Sequence, residues 1–244
     1  MAQHVLSSAW LRQQAPQLHQ RLAETLSLLQ PATLPDAAAL AAQVKLSGLN
    51  YEAALWRLLG GEGPEPTGLA ADLKGQLLAL RQRLAVLRTP AANVVLEHVE
   101  EALRQLERYQ LANLFAQQQH QPLLVPLLLP SEVTRQTAWL LVHREGHRQR
   151  HDPQARWALS LILPTTALGE LHVEARLQGA ALATTLYVER PEVAAYLEPH
   201  LPALAAQLQA LGFQARVACR LLPPAEAASA EAPGPQAPSV DCRV

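Results

Sequence analysis

The stretch ELHVEARLQGAALATTLYVE, residues 170–189, decides the fold class. In its first half the residues alternate strictly. Leu171, Val173, Ala175 and Leu177 fall on one side, and Glu170, His172, Glu174 and Arg176 on the other. A period of two is the signature of a strand with one buried face. Gly179 then interrupts the pattern before ALATTLYVE (181–189), which predicts a hairpin with a tight turn. Working outward, TAWLLVHRE (137–145) and RWALSLIL (156–163) are also strand-like, with Trp157, Leu159, Leu161 and Leu163 on one face. Downstream, Pro191 opens a helix with apolar positions Val193, Leu197, Leu201, Leu204, Leu208 and Leu211, bent or restarted at Pro199 and Pro202. Gly212 caps it, and FQARVACRLL (213–222) is a last strand with Phe213, Ala215, Val217, Cys219 and Leu221 on one side. The prediction for residues 136–222 is a small antiparallel sheet covered by one helix, in the order strands, helix, strand.

The preceding residues, 1–118, read as helical, so the whole chain is expected to be α+β. Leu18, Leu22, Leu26 and Leu29 lie at helical spacing within 3–29, where Pro16 splits or kinks the span. Asp36 is a capping residue for a helix to about Lys45, a short helix covers about 50–59, and GGEGPEPTG (60–68) reads as a loop. Leu69, Leu73, Leu77, Leu80, Leu84 and Leu87 form the stripe of one continuous helix. Thr89-Pro90 starts another, with Val95, Val99, Leu103, Leu106 and Leu111 on its buried face. The proline-broken run LLVPLLLP places a connector or edge strand over 119–135. Residues 223–244 are rich in Pro, Ala and Ser with few apolar anchors, which predicts a disordered tail.

Composition narrows the function. Apolar residues make up 49% of the 244, but aromatic ones only 4%, so the cores must be built from Leu, Ala and Val. Basic and acidic side chains, 20 and 21, nearly cancel, which gives no electrostatic case for nucleic acid or an anionic membrane surface. The two cysteines, Cys219 and Cys242, are too few for a disulfide framework and unsuitably spaced for zinc. The first residues show no basic stretch followed by an apolar one, so no ordinary secretory signal is expected, and the apolar run at 123–129 is far shorter than the roughly 20 residues a membrane span needs. A cytoplasmic chain is expected.

No nucleotide-binding, nucleophile-elbow or metalloprotease motif occurs. Lys74-Gly75 follows a glycine-containing loop, but its spacing is wrong for a phosphate-binding loop and it falls within a helix pattern. Glu100 and Glu101 are adjacent on a helix and point apart, unlike a catalytic carboxylate pair. His143, His147 and His151 have helical metal-ligand spacing, yet Gly146 and Pro153 interrupt the segment between two strands. A basic hairpin loop, open to an acidic partner surface, is the simpler reading. No catalytic residue, metal, cofactor or small-molecule substrate is therefore expected.

The segment from Trp157 to Leu222 resembles the C-terminal domain of the flagellar hook-length control proteins. An apolar strand ends at Leu163-Pro164, Leu168-Gly169 turns the chain into GELHVEARL, and a second strand, a leucine-rich helix, a glycine and a final strand follow. LSGLNYEAAL (46–55), DLKGQLLAL (72–80) and ERYQLANL (107–114) are similar to the helical segment that precedes this domain in many members. The resemblance implies a protein that passes through the flagellar type III export apparatus. Its C-terminal domain would bind the cytoplasmic domain of the export switch subunit and change export specificity. Partner-binding residues are then expected at Leu163, Pro164, Leu168, Gly169, His172, Glu174 and Arg176. Family members usually carry a long polar ruler at the N-terminus. Here the segment ahead of residue 46 would reach about 150 Å when extended, and it reads as helical. The alternative expectation is a cytoplasmic adaptor or structural interaction protein of a non-flagellar system, without a ruler function, whose helical half binds another helix.

Overall fold

The computed structural model describes residues 9–30, 36–60, 66–87, 89–130, 137–145 and 155–222. They divide into two compact units, Met1–Leu114 with Leu127–Glu132 and Phe115–Pro126 with Val133–Val244. The predicted tail, 223–244, and most of the 60–68 loop lie outside the described residues.

In the first unit, Pro16 divides the leading helical span into α1 (Ala9–Gln14) and α2 (Pro16–Leu29). Proline cannot donate the backbone hydrogen bond that continuity would require, but it fits a first helical turn. α3 (Ala37–Leu46) is capped by the Asp36 carboxylate, which accepts the Ala39 N–H at 2.7 Å. α4 (Tyr51–Leu59) stops at Gly60. Two boundaries differ from the sequence reading. α5 (Pro66–Ala71) begins inside the predicted loop, and Asp72 separates it from α6 (Leu73–Leu87), where one helix was expected. Asp72 Oδ1 accepts the N–H groups of Lys74 at 2.8 Å and Gly75 at 3.4 Å, so it caps a fresh helix start. α7 (Pro90–Gln118) is capped by Thr89, whose hydroxyl accepts the Ala92 N–H at 3.2 Å.

The leucine stripes meet in one core. Leu22, Leu77, Leu84 and Val99 are buried to 1% exposure or less, with Leu26, Leu80, Val95 and Leu103 around them. Leu87 and Leu111, expected on buried faces, are 37% and 53% exposed. Leu87 ends α6, and Leu111 lies beyond Leu106, the last α7 residue packed on this core.

The second unit carries a six-stranded sheet in the order β1-β2-β3-β4-β5-β6, with β1 (Leu123–Leu127) at one edge. Pro126 is tolerated in β1 because an edge strand can lack one ladder donor. β2 (Ala138–Glu145), β3 (Arg156–Thr165), β4 (Gly169–Gln178) and β5 (Ala181–Val188) pair antiparallel in succession. Gln178 faces Ala181 across the two-residue Gly179-Ala180 turn.

The sheet is not wholly antiparallel, as the sequence reading had it. β6 (Gln214–Leu221) runs parallel to β5, because the chain returns to the starting end of the sheet before laying down its last strand. The return passes through α8 (Pro191–Leu197), a 3₁₀ turn (Glu198–His200) and α9 (Leu201–Ala210). The covering helix is therefore in pieces, with Pro199 in the 3₁₀ turn and Pro202 in the first turn of α9. Leu171, Val188 and Val193 form the buried centre, flanked by Leu163, Leu168, Leu197 and Cys219. Leu211 and Leu221, expected on the buried side, are 73% and 51% exposed. The first sits past the end of α9 and the second at the last residue of an edge strand.

Candidate functional site

The register separates the sheet into two chemically different faces. On the helix-covered side stand Leu163, Leu171, Val188 and Cys219. Burial raises the Cys219 thiol above its ordinary pKa, helped by the nearby Glu198 charge. On the other side His172, Glu174 and Arg176 of β4 face Ile162, Ser160 and Ala158 of β3. They also face Tyr187, Thr185 and Ala183 of β5, and β6 extends the surface with Arg220, Ala218 and Arg216. Glu174 and Arg176 are exposed, while His172 is half-buried with its Nε2 bonded to Glu170 Oε1 at 2.6 Å.

The residues singled out from sequence therefore serve two purposes. His172, Glu174 and Arg176 share the open face. Leu163 and Leu168 are half-buried and pack on the core. Pro164 opposes Glu170 at the end of the β3–β4 ladder, next to the Thr165–Gly169 pair. The turn between them is held by Thr165, whose hydroxyl accepts the Leu168 N–H at 3.0 Å and donates to the Gly169 carbonyl at 2.8 Å. Gly169 has φ +83°, which other residues adopt only with strain. What the sequence reading missed is the contribution of the neighbouring strands. Arg156 and Arg216 join Arg176 on the same face. The alternation in FQARVACRLL already set Arg216 and Arg220 opposite the apolar positions. Only strand order shows that they share a surface with β4.

Of the three spaced histidines, His143 lies in β2, and His147 and His151 fall outside the described residues. Among the described residues no cluster of three or more His, Cys, Asp or Glu side chains could hold a metal ion. Among them, too, no helix is long and apolar enough to cross a membrane.

Residues 145–221 match the family model described as flagellar hook-length control protein FliK. The match spans about a third of the chain. It starts at the last residue of β2 and takes in β3 to β6 with α8 and α9. Searches of curated proteins and of solved structures found no match.

The upstream segments 46–55, 72–80 and 107–114 lie outside the matched residues, and the structure draws them together within the helical unit. Lys74 is 5% exposed, and its ammonium is ion-paired with Glu52 and donates to Gln110 Oε1 at 2.7 Å. Gln110 Nε2 in turn donates to the Gly48 carbonyl at 2.7 Å. Buried ammonium and amide groups are stable only when partnered in this way. Gly75 is required here, because a Cβ on it would come within 2.4 Å of the Leu69 carbonyl oxygen. Asp72 is buried, which pushes its pKa up to about 6 against the opposing pull of backbone N–H bonds from Gly75, Lys74 and Gly48. Lys74 is thus a structural cation with its donors committed, not a free phosphate ligand. Glu100 and Glu101 both lie within 4.0 Å of the Arg104 guanidinium, on an exposed helix face.

Proposed function

We propose that this chain is a binding protein of the hook-length control type. Its sheet domain engages the cytoplasmic domain of the export-gate switch subunit and biases that partner from hook-subunit to filament-type export. The family match over residues 145–221 carries this reading. The architecture supports it, since the matched domain has one face backed by α8 and α9 and an opposite face where charged and small side chains stand among Ile162 and Tyr187. A binding event that shifts a two-state partner requires only different affinities for its two states, and no catalytic group. In this reading the chain meets its partner on the cytoplasmic side and is itself passed through the type III apparatus.

The test is isothermal titration of the full chain with the switch subunit's cytoplasmic domain from the same genome, paired with the double variant Glu174→Lys/Arg176→Glu. Saturable binding weakened by the variant is the expected result. No heat of binding at high micromolar concentration contradicts it.

A second reading, an adaptor whose helical half binds another helix, is favoured by α4, where Trp56 and Leu59 are 79% and 75% exposed. A partner that binds equally well to Trp56→Ala/Leu59→Ala argues against it.

A further inference from the structure

At the end of the sheet where β3, β5 and β6 begin and β4 ends, the described residues line an open hollow of about 850 Å³. Its lining is of two kinds. Arg156, Arg176 and Arg216 come from the polar face, whereas Trp157, Leu177 and Leu182 come from the apolar one. Arg176 faces Ala158 on β3, two residues from Arg156, so these two are diagonal neighbours about 7–8 Å apart. Arg176 and Arg216 flank Ala183 of β5, two strand spacings or roughly 10 Å apart. Alanine between the two arginines leaves the space above the strand open.

The three arginines are exposed, and among the described residues none has an ion-pair partner. Glu145, opposite Arg156, is the one carboxylate in the lining. Like charges gathered this closely repel one another, and an anion placed between them relieves the repulsion. Arginine presents a planar fork that binds carboxylates in pairs of hydrogen bonds. Around the sheet end, on the other face, Trp157 is 38% exposed, with the Arg144 guanidinium 5.7 Å from its ring centroid. Arginine and tryptophan are the residues that most often concentrate binding energy in protein interfaces.

We propose that this hollow is the docking site for an acidic, leucine-bearing peptide segment of a protein partner that crosses the end of the sheet, with carboxylates on Arg156, Arg176 and Arg216 on one face and an apolar side chain against Trp157, Leu177 and Leu182 on the other. A small free anion would leave the apolar lining unused. A chain whose formal charge is -1 lacks the broad positive field of a nucleic-acid binder. The inference deepens the reading above, on which it rests for the partner's identity, by assigning the chemistry of the partner's segment.

The test uses the full chain and fluorescein-labelled 12-residue peptides followed by polarisation: alternating Glu and Leu, alternating Lys and Leu, alternating Glu and Gly, and a thymidine 12-mer. The Glu–Leu peptide is expected to bind at least tenfold tighter than the other three. The triple variant Arg156→Glu/Arg176→Glu/Arg216→Glu should weaken it at least thirtyfold while its circular dichroism stays that of the parent. Raising salt from 50 to 300 mM should weaken parent binding several-fold. Equal affinity for the Lys–Leu peptide, tighter binding of the oligonucleotide, or Glu–Leu binding unchanged in the triple variant overturns the proposal. The switch subunit's cytoplasmic domain, titrated into parent and triple variant, separates the two claims. Parent binding undiminished in the variant removes the hollow and keeps the partner. Arginine-dependent peptide binding without any binding of the switch subunit keeps the hollow and removes the partner.

Discussion

The helical unit and the sheet domain solve the same compositional problem differently. With few aromatic residues, the helical unit buries whole leucines, Leu11, Leu22, Leu77, Leu80 and Leu84 among them, at 2% exposure or less. Among the described residues the sheet domain's buried cluster is Leu171, Val188 and Val193, with Ala138, Thr184 and Leu186 also buried on its strands, and α9 buries none. Its order comes from the backbone ladders of β2 to β6, with side chains left half-exposed. A domain built this way spends less of its surface on its own core and keeps more available for a partner. The family match falls on this thin-cored domain.

Core truncation sharpens that contrast most strongly. Leu77→Ala in the helical core is expected to cost about 3 kcal/mol, within the range for fully buried leucines, whereas Val188→Ala should cost about 1–2. The tryptophans permit separate readouts in urea, since Trp10 and Trp56 belong to the helical unit and Trp139 and Trp157 to the sheet domain. Replacing either pair with Phe leaves fluorescence from one unit. Equal losses in the two units would break the comparison.

Gly75→Ala comes next. The Cβ contact with the Leu69 carbonyl cannot be relieved by a rotamer change, and a loss of about 2 kcal/mol is expected from overpacking against backbone. Gly169→Ala, strained by its positive φ but with only an ordinary contact to the Arg190 guanidinium at 3.9 Å, should cost about 1 kcal/mol in the sheet domain. If Gly169→Ala proves the more damaging of the two, the turn matters more than the buried polar cluster.

The pH dependence of the two units should also differ. Asp72 has its folded-state pKa raised from 3.8 to about 6, so the folded helical unit holds this proton more tightly than the unfolded chain. The resulting stabilisation is fully present below about pH 3.8 and is lost as pH rises through about 6. Between pH 4 and pH 7 the Asp72 contribution to the helical unit's urea midpoint falls. Asp72→Asn, which keeps the cap acceptor, should flatten that slope and leave the sheet domain's profile unchanged. A slope identical to the parent's contradicts this assignment. The smallest effect is expected at Arg104→Ala, which removes a solvent-screened pair on an exposed helix face and should leave the urea midpoint of the helical unit within error of the parent's.

Much of this architecture is legible in the sequence. The alternation of 170–177 and the glycine at 179 give β4 and the hairpin turn, and Asp36 and Thr89 mark true helix starts. The parallel pairing of β6 is not legible there, because it depends on the returning strand lying beside β5, which is a matter of strand order. Asp72 escaped because the leucine stripe runs unbroken from Leu69 to Leu84 in spacing, and spacing alone does not reveal a cap that restarts a helix in phase. The buried Lys74 cluster joins residues 22 and 36 positions apart, which no local pattern encodes. The arginines of the open face were visible one strand at a time. Their convergence depends on strand order and register, which are tertiary facts.

The most direct test of the central claim is chemical-shift mapping of the full chain, labelled with ¹⁵N, on titration with the switch subunit's cytoplasmic domain. The account predicts perturbations confined to β3–β6 and strongest around Arg156, Arg176 and Arg216, with α4 and the helical core unmoved. Shifts centred on Trp56 and Leu59, with the sheet amides unchanged, would contradict it.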